Sequence, residues 1–225
     1  MTASFPSQSH SAPTNFRYVV VEGVIGVGKT TLVRALEQRL RARTVYEVFE
    51  ENPFLEGFYQ DRARYAFPTE MFFLLSRFNQ QEVFAQEDLL QQFSVSDYLF
   101  AKCRLFAELT LNTAEFELFA RTYDILSRQV PTPDLVIHLH APIDVLLERI
   151  AERGRSYEAD IDPDYLRELD SRYRSLFKSY TGARVLSVDT SGIDFREVAA
   201  VEQLVEQVLT GRVGHETQEN FVLRG

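Results

Sequence analysis

The octapeptide GVIGVGKT (Gly23–Thr30) fits G-x-x-x-x-G-K-[ST] at each fixed position. Glycines in such a loop let successive backbone N–H groups close around phosphate oxygens, and a helix N-terminus behind it adds positive potential. Lys29 is then placed to reach β- and γ-phosphates and Thr30 to hold a Mg²⁺ ion. Val24, Ile25, Gly26, Val27, Gly28 and Thr31 complete the cradle. A second pair capable of chemistry lies in YAFPTEMFFLLSRF, residues 65–78, where Glu70 and Arg77 interrupt an apolar helical run seven residues apart. Two helical turns return positions i and i+7 to one face, about 10 Å apart. These charges fit a reader of a polar ligand. They fit equally a buried ion pair, or two charges answered from other helices, Lys102 among them.

The elements around the loop must present it correctly. RYVVVEG reads as a short buried strand ending at Gly23, and KTTLVRALEQRLRAR as the helix behind it, with Leu32, Leu36 and Leu40 on one stripe. Further strands are expected at residues 44–48 and 93–96, in PDLVIHLHAP and in ARVLSVDTSG. Helices are expected through 104–128, in IDVLLERIAERG up to Gly154, over 163–180 and over 195–209. Short buried strands alternating with helices predict an α/β, three-layer P-loop fold, a parallel sheet flanked by helices. His138 and His140 alternate along one such strand with no acid or cysteine nearby, which suits packing better than a metal site.

Bulk properties narrow the classes. A formal charge of −9 argues against nucleic acid or an anionic membrane as the main partner. A single cysteine, Cys103, excludes a disulfide framework and fits a reducing cytoplasm. No apolar run reaches the roughly 18–20 residues that span a bilayer. Residues 1–15 carry neither a basic start nor an apolar core and read as a disordered tail, with 211–225 as a second loose tail around a domain at 16–210. Neither the Asn-Lys-x-Asp guanine reader of GTPases nor the Ser-Gly-Gly-Gln signature of transporter ATPases is present, which leaves the small kinases.

Behind the loop, EVFEENPFLEGFY, SDYLFAK and ERIAERGRSYE follow in order. Together they resemble the deoxyribonucleoside kinase family, most closely its bacterial deoxyguanosine-type branch, from Tyr18 to about Leu209. The resemblance implies transfer of the γ-phosphoryl of ATP, with Mg²⁺, to the 5′-OH of a deoxynucleoside. It makes Glu47, at the end of the second strand, the general base, and a carboxylate there suits a hydroxyl that must shed a proton. A surface acid or helix cap is the plainer reading of the same residue. By the resemblance Tyr59 meets the 3′-OH together with Glu158, though a core tyrosine would look the same.

Arg149, Arg153 and Arg155, near the Gly154 break, match a short arginine-rich lid at about 149–160 that stabilises the transferring group. A solvated helix face paired with Glu148 and Glu152 is the alternative. Many family members carry Asp/Glu-Arg-Ser where this chain has Asp97-Tyr98 and no Arg. Asp97 therefore stands open between a Mg²⁺-linked acid, a substrate contact and a helix-start cap.

In the family the helix holding Glu70 and Arg77 lines the base pocket, with Glu at the Glu70 position in the deoxyguanosine type. An ionised carboxylate is acceptor-only and can take both N1–H and N2–H₂ of guanine. Arg77, helped by Lys102, would read O6 and N7, as Arg does in DNA. Phe72, Phe73 and Phe106 are candidates to stack on the base, or plain core. A nucleoside monophosphate acceptor would need further cations, for which Arg62 and Arg64 lie outside the matched motifs. The resemblance also suggests a homodimer, or a heterodimer with a paralogous kinase.

Overall fold

The computed structural model describes residues 16–87, 93–155, 158 and 161–210. The two expected tails lie outside the described residues, as do four positions of the expected lid (156, 157, 159 and 160). Valines dominate the first strand, β1 (Tyr18–Gly23), and each of its residues is buried, as a strand covered on both faces requires. It is joined by β2 (Arg43–Val45), β3 (Ser94–Ser96), β4 (Leu135–His140) and β5 (Arg184–Asp189). They pair in parallel in the order β2-β3-β1-β4-β5. Val19 stands opposite Val95 on one side and Leu135 on the other.

The connection after β1 runs to β2 on one side of it and the connection after β3 crosses to β4 on the other, so the sheet opens a crevice at the carboxyl end of β1. Ligands of open α/β sheets sit in such crevices.

Helices cover the two faces. Among the described residues these are α1 (Lys29–Leu40), α2 (Leu55–Gln60), α3 (Arg62–Glu87), α4 (Lys102–Thr110), α5 (Thr113–Leu126), α6 (Ile143–Arg153), α7 (Pro163–Ser179) and α8 (Val198–Thr210). α6 ends where expected, because Gly154 takes the left-handed conformation (φ 67°) that stops it. His138 packs in the core beside Phe177, with ring centroids 4.5 Å apart, and near Tyr173. A smaller core of Leu74, Phe100, Cys103, Ala107 and Phe119 joins α3, α4 and α5. No helix among the described residues is long and apolar enough to cross a membrane.

The buried stripe of α3 differs from that of an ordinary core helix. Ala66, Thr69, Glu70, Phe73, Leu74, Arg77, Gln81 and Phe84 form it, at spacings of three and four. Leu75, by contrast, is exposed. Three of its polar members, Thr69, Glu70 and Arg77, face a cavity.

β2 is also shorter than the pattern suggests, ending at Val45. The N–H of Glu47 is taken by the Asp97 side chain at 2.7 Å instead of by the strand ladder, so Glu47 begins the loop beyond the strand.

Candidate active site

The loop after β1 wraps the start of α1. Gly28 caps that helix at φ 100° with the Phe195 ring so close that a Cβ would lie 2.3 Å from it. Only glycine fits both demands. Lys29 turns back into the cradle, donating to the carbonyls of Gly23 at 2.8 Å and Val24 at 3.1 Å. Burial, with the Lys102 charge, lowers its ammonium to about 8.

A cavity of about 840 Å³ runs from this loop to α3, α4 and α7. The strand ends supply its carboxylates. Asp97 follows β3 and bridges the two sides. Its Oδ2 accepts from the Thr30 hydroxyl at 3.1 Å, and its Oδ1 accepts from the Glu47 N–H. The helix-cap reading of Asp97 falls, because α4 begins five residues later with Ala101 at its N-cap and no side-chain cap. Burial, then the neighbouring Glu47 charge, raises the Asp97 carboxyl. A hydroxyl and a carboxylate this close are hard oxygen donors, the type that holds Mg²⁺ together with phosphate oxygens.

Glu47 sits at the centre of a buried network. Arg77 donates to its Oε1 from Nε at 2.7 Å and from Nη2 at 2.5 Å, and Lys102 donates to its Oε2 at 2.9 Å. Burial opposes ionisation of Glu47, but the Arg77 and Lys102 charges hold its carboxyl well below the usual carboxylate range. Arg77 also donates Nη1 to the Cys103 sulfur at 3.1 Å. Its expected place against O6 and N7 of a purine is therefore corrected. The guanidinium is committed to Glu47 and Cys103, because the loop after β2 presents a carboxylate that is nearer. Lys102 is likewise committed to Glu47, with Glu22 at 3.9 Å.

Glu70 lines the same cavity and is 2% exposed. It accepts from the Thr110 hydroxyl at 3.2 Å, which also lies 2.8 Å from the Phe106 carbonyl. Burial pushes the Glu70 carboxyl up to about 7, against the pull of Arg77. Phe73 and Phe106 line the cavity, as do Phe49 and Phe58, whereas Phe72 does not. Tyr59 and Glu158 both line it.

The lid arginines divide. Arg153 and Arg155 pair with Glu158, the latter at 3.5 Å, and Arg155 lies 4.0 Å over the Phe49 ring. Arg149 departs from its expected place on a transferring phosphoryl group. It donates to the Thr190 hydroxyl at 3.1 Å, the Thr190 carbonyl at 2.7 Å and the Ile193 carbonyl at 2.9 Å. It thus braces the loop after β5 and lies 5.1 Å over the Phe195 ring of that loop. Arg62 and Arg64 stack on Tyr165 and Tyr65 and do not line the cavity.

Residues 19–212 match the family model described as "Deoxynucleoside kinase". The chain belongs to the deoxynucleoside kinase family. It is an ATP-dependent phosphotransferase acting on deoxynucleosides. This kinase is 36% identical over 183 residues to the deoxyguanosine kinase of Bacillus subtilis, covering 79% of this chain and 88% of the relative. It is 28% identical over 218 residues to the deoxyadenosine/deoxycytidine kinase of the same organism, covering 94% and 99%. Its fold matches that of M. mycoides deoxyadenosine kinase, solved with dCMP and dCDP. The TM-score there is 0.74 at 21% identity, over 86% of this chain and 99% of that one.

Sequence reasoning missed several residues of the site. Glu22, fully buried in β1, accepts from the N–H groups of Gly23 and Leu99 and from the Tyr173 hydroxyl. A lone carboxylate in a run of valines was the available signal. The Thr69 hydroxyl is buried without a partner among the described residues, and Thr69 lines the cavity. Thr110 and Phe195 carried no local signal.

Proposed function

We propose that this kinase transfers the γ-phosphoryl of ATP to the 5′-OH of a purine deoxynucleoside, with deoxyguanosine preferred. One observation carries the preference: Glu70, a buried carboxylate, lines the same cavity as the phosphate loop. An ionised Glu70 accepts N1–H and N2–H₂ of guanine, while adenine would set its N1 acceptor against the same oxygens. That mismatch costs about 1–3 kcal/mol when buried.

Lys29 and the loop N–H groups hold the β- and γ-phosphates. Thr30 and Asp97 hold Mg²⁺, which when bound neutralises charge on the transferring group. Glu47 accepts the 5′-OH hydrogen bond. A carboxylate offers about four lone-pair sites, and the cations of its network take three, leaving one for the hydroxyl.

So tightly paired a carboxylate is a weak base. It suffices where the transition state is loose and the hydroxyl proton leaves late. Arg77 and Lys102 position Glu47, and Arg153 and Arg155 stabilise the equatorial oxygens. Tyr59 and Glu158 flank the sugar. The kinase pairs with a second copy or a paralogue through α3 and α5, whose Leu75, Val83, Leu118 and Ile125 are exposed.

The test is kcat/KM for a panel of deoxynucleosides and ribonucleosides with ATP and Mg²⁺, on the native enzyme and on Glu70→Gln. The variant should move preference toward deoxyadenosine by about tenfold. An unmoved preference would break the pocket assignment.

A further inference from the structure

Glu70 and Glu47 are both buried in one cavity, yet only Glu47 has cations bonded to it. The titratable and charged groups around Glu70 come from four places. From α3 comes Arg77, bonded to Glu47 and Cys103; from α4 come Lys102, bonded to Glu47, and Cys103. Glu47 itself faces it from the loop after β2, and Tyr165 from α7. Two cations pull on Glu70 from a distance, and Glu47 opposes them. Among the described residues Glu70 accepts a hydrogen bond from Thr110, whose single hydroxyl proton has two acceptors in range, Glu70 Oε1 and the Phe106 carbonyl. Thr110 can donate to an ionised Glu70. It can equally turn to Phe106 when Glu70 is protonated. The pocket is therefore built to tolerate either state.

We propose that the protonation state of Glu70 selects the base, the ionised form taking deoxyguanosine and the protonated form taking deoxyadenosine, so that one pocket serves both purines. This rests on the proposed function above and refines its preference into a ratio set by pH. An ionised carboxylate offers only acceptors, which match the N1–H and N2–H₂ donors of guanine. A carboxylic acid offers an O–H to the N1 acceptor of adenine. Each form leaves a buried polar atom unpaired with the wrong base. Burial holds this carboxyl at about 7, so both forms are populated near neutrality.

The decisive measurement is kcat/KM for deoxyguanosine and for deoxyadenosine, with ATP and Mg²⁺, on the native enzyme between about pH 5.5 and 8.5. Ionisations of Lys29 and other groups shared by the two reactions cancel in the ratio. The ratio of deoxyguanosine to deoxyadenosine turnover should rise about tenfold per pH unit. In Glu70→Gln it should be flat, because the amide has no proton to lose. Taken singly, the deoxyguanosine profile should rise and the deoxyadenosine profile fall through the Glu70 titration, and in Thr110→Val, which removes a donor to the ionised form, both of these bends should move to higher pH. A flat ratio in the native enzyme, or turnover of deoxyguanosine alone at every pH, overturns the proposal and leaves the kinase assignment standing. Bends that stay in place in Thr110→Val also overturn it, by locating the titration elsewhere. Turnover of neither purine nucleoside overturns the functional reading itself, and the proposal with it.

Discussion

Of the carboxylates that line the acceptor cavity, Glu47 and Glu70 share the influence of Arg77 and Lys102, and burial acts on both in the same direction. At one end Arg77 and Lys102 reverse it, and Glu47 is held well below the usual range. At the other end those same cations are spent elsewhere, and Glu70 rises to about 7. Desolvation is thus common to both ends, and the allegiance of one guanidinium separates an obligate anion from a titratable acid. Function follows that division. The fixed charge serves the reacting hydroxyl, and the variable one serves the base.

The largest effect should come from breaking the fixed end. Glu47→Gln should lower kcat by about a hundred- to ten-thousand-fold, the range of one lost acid–base contact. ATP binding, followed by fluorescence or calorimetry, should persist because the phosphate loop is untouched. Unchanged turnover would remove Glu47 from the reaction. Stability should fall as well, since the variant leaves Arg77 and Lys102 buried without their anion, a loss of about 3–5 kcal/mol.

At the variable end the stability effect has a defined sign. A carboxyl whose pKa rises on folding holds its proton more tightly in the folded state. That contribution is present at acid pH and is lost as pH rises from 4.5 to about 7. Glu70→Gln should therefore match the native protein in urea unfolding near pH 5 and exceed it by up to about 3 kcal/mol near pH 8. For Glu47 the linkage is reversed, with stability lost as pH falls below the ordinary carboxylate range. A Glu70→Gln difference that does not grow with pH would show that burial is not what sets this acid.

How much of this contrast could be read in the chain depends on sequence distance. The phosphate loop with its flanking strand and helix is a local pattern and landed where expected, whereas Glu47, expected at the end of the second strand, stands two residues beyond β2. Glu70 and Arg77 were correctly seen on one helical face, because helical periodicity is local too. What the spacing could not state is which partner Arg77 chooses. Its partner lies 30 residues away in sequence, at the edge of a strand whose place follows from the order of the whole sheet. Arg149 repeats the lesson. Its spacing with Arg153 suggested a phosphate clamp, yet the loop after β5, 41 residues on, offers carbonyls that its planar fork fits. Glu22 was legible only as an anomaly.

Lys102 tests whether the fixed end needs both cations. Lys102→Met removes one, so the Glu47 carboxyl should rise toward the ordinary range, and burial adds to that movement. The acidic limb of kcat/KM for deoxyadenosine, a profile that Glu70 bends only on its alkaline side, should be absent from the native enzyme above about pH 5 and should then enter the measurable window. The plateau rate should fall about ten- to a hundredfold. KM for ATP should change little, because Lys102 bonds to Glu47 and not to the phosphate loop. A loss of rate with no new acidic limb would mean that Lys102 acts on packing and not on Glu47.

The smallest effect should come from Cys103, and it probes the boundary between the two ends. Its sulfur accepts from Arg77 Nη1 at 3.1 Å, which occupies the one edge of the guanidinium that Glu47 leaves free. Cys103→Ser keeps an acceptor there and should change turnover by less than about twofold. Cys103→Ala removes it and leaves a buried donor seeking a partner. Glu70, whose carboxyl already feels the Arg77 charge, has no cation bonded to it among the described residues. Any shift of Arg77 toward it stabilises the ionised form, so the bend in the deoxyguanosine profile should move to lower pH, with a change of about twofold in base preference at fixed pH. Movement in the opposite direction would mean that Arg77 withdrew with the lost sulfur, and that Glu47 alone holds the guanidinium between the two carboxylates.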